Sequence, residues 1–118
     1  MANVYKNIQA VISAAGSDVD MYTSPTATTS IIKTVNLYNT HGSNLVVDIT
    51  VYDASSATDF EFDTVTVNAS NSVDLLTFNN LLMLEAGDIL KMQTPTINVV
   101  KMTASVLQIT RPPEVTTT

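Results

Sequence analysis

The chain has no cysteine and no tryptophan, three glycines, four prolines and few charges. Charged residues make up 14% of its 118 positions, about half the usual share. Zero cysteines exclude a disulfide framework, a thiolate zinc site and a cysteine nucleophile. No apolar run approaches the ~20 residues of a membrane-spanning helix. Met1 to Lys6 does not lead into a signal-peptide core, so synthesis in the cytosol is expected. Basic residues are five against eleven acidic ones, giving a net charge of −6. They are scattered singly as Lys6, Lys33, Lys91, Lys101 and Arg111, which argues against a phosphate-neutralising, nucleic-acid-binding surface.

What the chain does have is β-formers and hydroxyls. A surface carried by Ser, Thr and Asn rather than by Lys and Glu suits a protein covered by neighbours. The longest pattern runs from Thr29 to Asp53. Leu45, Val47, Ile49 and Val51 alternate with Asp48, Thr50 and Tyr52, the period of two of a half-buried strand. Before it, Ile31, Val35 and Leu37 share one parity with Lys33, and Ile32, Thr34, Asn36 and Tyr38 share the other. The segment between, Thr40-His41-Gly42-Ser43-Asn44, reads as a hairpin turn with Gly42 supplying positive φ. Val35, Leu37, Val47, Ile49 and Val51 are the expected core.

Further strands are expected over 3–12, 18–23, 59–67, 72–78, 81–84, 89–93 and 97–110, the first of them at a sheet edge. Turn signals separate them at 24–27, 54–57, 68–71, 85–88 and 94–96. Between Asp59 and Val67 the apolar parity switches from Phe60 and Phe62 to Val65 and Val67, which calls for a bulge near Asp63-Thr64. Only Leu75 to Glu85 has helical spacing, and Asn79-Asn80 interrupts it. About eight short strands and no helix give an all-β, single antiparallel β-sandwich, jelly-roll-like or immunoglobulin-like, over residues 1–110. Pro112-Pro113 ends the last strand and opens an extended arm over residues 111–118.

Reactive constellations are sparse. His41 is the only histidine and sits in a turn, with no carboxylate and nucleophile at a fixed spacing to form a triad. Asp18 with Asp20, and Asp59 with Glu61 and Asp63, put carboxylates on shared strand faces. They alternate with Val19, Met21, Phe60 and Phe62 and lack a calcium-loop pattern, so they read as the wet face of amphipathic strands and as protection against edge pairing. A carboxylate-pair glycosidase would need aromatic sugar platforms that an aromatic content of 6% does not suggest. Asn68-Ala69-Ser70 matches a glycosylation sequon but reads as a turn. Met21, Met83, Met92 and Met102 read as core filler. No catalytic residue, cofactor or metal ligand is assigned.

The motif order Tyr22-Thr23-Ser24-Pro25, then Ile31 to Thr40, then Ser72-Val73-Asp74-Leu75-Leu76, then Leu84-Glu85-Ala86-Gly87-Asp88-Ile89-Leu90-Lys91 resembles small β-sandwich virion proteins of tailed bacteriophages. The resemblance covers roughly residues 10 to 109. It implies a non-enzymatic virion protein, a decoration or cement subunit on the capsid shell, made in the host cytoplasm. Its partners would be the major capsid protein or other virion proteins and its own copies, with no nucleic acid and no membrane. The alternative is a tail-fibre, knob or head-appendage module that binds a receptor or glycan. The arm residues Arg111, Pro112, Pro113, Glu114 and Val115 are the expected partner contacts, because a stiff extended segment loses little entropy on docking.

Overall fold

A computed structural model describes residues 2–76 and 81–110. They form nine strands: β1 (Ala2–Val11), β2 (Val19–Thr23), β3 (Thr28–Asn39), β4 (Leu45–Asp53), β5 (Thr58–Val67), β6 (Ser72–Leu76), β7 (Leu82–Leu84), β8 (Ile89–Gln93) and β9 (Val100–Thr110). Two antiparallel sheets face each other. Sheet I runs β1-β9-β3-β6, with β7 also on β3, and sheet II runs β2-β8-β4-β5. β6 and β7 lie one after the other along the same edge of β3, against Val35–Tyr38 and Ser30–Ile32 respectively. Counted as one interrupted strand, they reduce the nine to the expected eight. The resulting orders, 1-8-3-6 and 2-7-4-5, are those of a jelly roll.

The expected 29–53 hairpin is overturned. β3 belongs to sheet I and β4 to sheet II, and the two share no ladder. The chain changes sheets at every connection except β4–β5 and β6–β7. Residues 40–44 are therefore an arch that spans the core, and Gly42 is not among the positive-φ residues. The period of two is identical for strands that pair and strands that pack, so alternation alone could not separate these arrangements. What fixes the arch is Asn39, which is fully buried. Its Nδ2 donates to the Ser43 carbonyl at 2.9 Å and to the Val67 carbonyl at 3.0 Å. Its Oδ1 accepts from the His41 N–H at 2.8 Å.

The core lies between the sheets. Val35, Leu37, Val47 and Ile49 are buried as expected, together with Ile12, Leu84, Leu90, Met92, Val100, Met102 and Val106. Val51 is half-buried. In β3 the parity assigned to Ile31 and Ile32 fails. Ile32 is the buried one, because a bulge at Lys33, between Ile32 and Thr34, switches the inward set from even to odd positions. In β5 the expected bulge is present one residue earlier. Ile49 pairs with Asp63 and Thr50 with Glu61, leaving Phe62 as the extra residue. β1 is an edge strand, paired with β9 over ten unbroken positions.

Three substitutions test this arrangement. Val47→Asp places an unpaired carboxylate in a fully buried site and should abolish the cooperative thermal transition. Asn39→Ala strips three backbone groups of their partner and should cost ~2–4 kcal/mol in denaturant unfolding. His41→Ala, in the same arch, should cost less than ~0.5 kcal/mol. Equal costs at the two positions would mean that Asn39 does not hold the arch.

Candidate functional site

His41 is partly exposed; its Nδ1 accepts the Ser43 N–H at 3.2 Å. Among the described residues no group of three or more His, Asp or Glu side chains is placed to hold a metal ion. Asp20 and Asp59 do converge, but around a cation, with Glu61 in the same row beyond Thr50. Lys91 pairs in register with Asp20, lies 3.4 Å from Asp59 and stands 5.1 Å above the Tyr52 ring. Asp63 leaves that group, since the bulge at Phe62 sets it opposite the inward Ile49. Asn68 is exposed, and its carbonyl closes the turn to Asn71 at 3.1 Å. Met21, Met92 and Met102 are buried, whereas Met83 is 61% exposed and is not core. Arg111 to Val115, the expected partner contacts, lie outside the described residues.

The polar residues of the sequence motifs converge on structural brackets. Tyr22, which follows a bulge in β2, turns its hydroxyl toward sheet I, where it meets Ser30 Oγ at 2.7 Å and accepts from Gln108 Nε2 at 2.7 Å. Ser24 Oγ continues the chain to Ser30 at 2.8 Å and donates to the Thr28 carbonyl at 3.0 Å. This buried network joins β2 in sheet II to β3 and β9 in sheet I. Asp88 does the same for turns. Its two oxygens accept the Ala54 N–H at 3.0 Å and the Glu85 N–H at 2.9 Å. Gly87 precedes it at φ +86°, where a Cβ would stand 3.1 Å from that of Ala54. No buried side-chain polar atom among the described residues lacks a partner.

With the polar groups so engaged, the conspicuous surface is the outer face of sheet I. Tyr5 of β1, Leu107 of β9, Ile31 of β3 and Met83 of β7 stand in one row across four strands. Tyr5 is 72% exposed and Leu81, beside the row, 53%. Lys33 stands over the Tyr5 ring at 4.9 Å. Shallow grooves of about 440 Å³ and 470 Å³ open on this face. The first is lined by Thr29, Met83 and Glu85 among others, and the second by Lys33, Thr34, Leu81 and Ser105. Neither gathers a nucleophile with a base. The sequence reading missed this row because its members sit on four strands whose mutual register only the fold supplies.

Two solution experiments probe these contacts. Tyr22→Phe removes the shared hydroxyl and should cost ~1–3 kcal/mol, leaving Ser30 and Gln108 without it. At the β4–β5 turn, Asp53 is held below the ordinary aspartate pKa. The Ser55 hydroxyl at 2.7 Å is the main cause, the Ser55 N–H at 3.0 Å and Ser56 add to it, and desolvation opposes them. A depressed folded-state pKa favours the fold above the unfolded value, and that contribution is lost as pH falls through the folded one. An NMR titration should show the low midpoint, and Ser55→Ala should raise it.

No family model matches this sequence, and no curated protein does. The fold is similar to a chain from a structure described as "Bacillus endospore appendages form a novel family of disulfide-linked pili", with a TM-score of 0.57 at 13% identity over 93% of this chain and 89% of that one. It overlaps more loosely with the CBM22-1–GH10 modules of Clostridium thermocellum xylanase 10B complexed with xylohexaose. There the TM-score is 0.42 at 11% identity over 95% of this chain and 23% of that one. At these identities the first likeness is one of fold, a two-sheet β-sandwich.

Proposed function

We propose that this chain is a non-enzymatic structural subunit, a decoration or cement protein on the shell of a tailed-phage particle. The observation that carries the reading is the uncovered apolar row on the outer face of sheet I, set in a surface poor in charge. A sheet face in water is ordinarily polar. Four apolar side chains abreast are better suited to contact with protein than to hydration. The motifs behind the phage resemblance point the same way, since Tyr22, Asn39 and Asp88 hold strands and turns rather than substrate.

A cement subunit acts by burial. It bridges neighbouring shell proteins and adds interface area, at about 25 cal/mol per Å² of apolar surface. One modest contact repeated over a shell then resists internal pressure collectively. Similarity to a pilus subunit is compatible with life inside a repetitive assembly. The pili in that description are disulfide-linked; with no cysteine, this chain would cohere without such links. The 111–115 arm is a proposed second contact.

Imaging of intact particles with copy counting tests the reading. Many symmetry-related copies on the shell, and lower heat resistance of particles lacking them, are expected. A few copies at fibre tips, with glycan binding by the isolated protein, would instead establish the receptor-binding alternative. Exposed Tyr5 and Tyr38 on the same face are the groups such a ligand would stack on.

A further inference from the structure

The two outer faces of the sandwich differ in chemistry. On sheet I, Ile109 and Leu81 flank the row formed by Tyr5, Leu107, Ile31 and Met83. Lys33 lies at the centre of this region, over Tyr5. Lys101 stands farther along the face, Asp74 is held by Asn36 at 2.8 Å on the far edge, and Glu85 sits at the rim. On sheet II the outward positions include Asp20, Asp48, Asp59 and Glu61 against the single Lys91. Apolar groups are interspersed there too, notably Val46, 46% exposed, and Tyr52, which pairs in register with Ile89. One face is thus apolar with a central cation, and the opposite face is acidic with apolar gaps.

We infer that the outer face of sheet I docks on the outer face of sheet II of a second copy of this chain. The inference rests on the proposed role as an assembly subunit and names the partner of its apolar face. Charge selects the geometry. A two-fold pairing of sheet I on sheet I would bring Lys33 toward its own mate within the buried patch, an unfavourable like-charge contact. Sheet I on sheet II instead sets Lys33 and Lys101 against carboxylates. The area suffices. Four strands at ~4.8 Å spacing and ten residues at ~3.4 Å rise give a projected face of roughly 650 Å². Side-chain relief raises its accessible area toward the ~800 Å² per partner of a standard interface. Because the two docking faces differ and lie on opposite sides, each copy keeps one face open after binding, so the contact propagates.

Sedimentation velocity on the full chain, over a range of concentrations, reads the association directly. Wild-type protein should form oligomers that grow with concentration. The Tyr5→Ser/Met83→Glu double variant should remain monomeric and melt at the temperature of dilute, monomeric wild-type protein. Complementation then fixes the pairing. Lys33→Glu/Lys101→Glu and Asp48→Lys/Glu61→Lys should each be monomeric alone, since the two faces of each then carry like charge. An equimolar mixture of the two should associate again. Wild-type protein that stays monomeric at millimolar concentration overturns the inference, as does a mixture that fails to associate. If that monomer still decorates particles in many copies, the structural role stands and the row faces a coat protein instead.

Discussion

The arch between β3 and β4 is the constraint on which the rest of the molecule depends. Asn39 is buried where the chain leaves sheet I, and it binds the arch through Ser43 and His41 and sheet II through Val67. An amide that gives both donors and its acceptor to backbone groups is worth most where water cannot replace it. If the 40–44 segment folded back as a hairpin, β3 and β4 would lie in one sheet. Their apolar sides would then share a single face, and sheet II would lose one of its two inner strands. Holding the arch open places Val35 and Leu37 on one side of the interior and Val47 and Ile49 on the other.

A jelly roll closed in this way uses its buried polar groups to hold its two sheets together. Its buried hydroxyls and amides form bridges between sheets, such as Tyr22–Ser30–Ser24 and Gln108–Tyr22. Lys91 is enclosed by Asp59 and the Tyr52 ring. Among the described residues, the outer face of sheet I is left with exposed Tyr5, Leu81 and Met83.

Much of this was legible in the sequence. Most strand positions, the turns at 24–27, 54–57 and 68–71, the kink in β5 and the inward parity of β4 follow from local alternation and turn chemistry; the last strand begins at Val100 rather than Ile97, because Asn98 turns at φ +63°. Two things were not. The sheet to which each strand belongs is decided by non-local pairing, so the 29–53 alternation fits a hairpin as well as an arch. The second is parity within β3, where the bulge at Lys33 has no glycine or proline to announce it. That bulge also explains the misplaced methionine. By strand pattern Met83 resembles a core residue, but β7 pairs with the segment of β3 before the bulge, where odd positions face outward.

The same bulge connects fold to surface. Without it, Ile31 would share the inward parity of Val35 and Leu37, and Ile32 would take its place outside. The extra residue lets Ile32 fill the core while Ile31 completes the row between Leu107 and Met83. It also puts Lys33, the inserted residue, over Tyr5 on that same face. Bulges re-aim side chains at the cost of local ladder regularity. Here the re-aimed residues are an isoleucine and a lysine, both directed to the outer face of sheet I. If that face meets another protein, as proposed, the bulge is what supplies the contact with an isoleucine and with a charge near its centre.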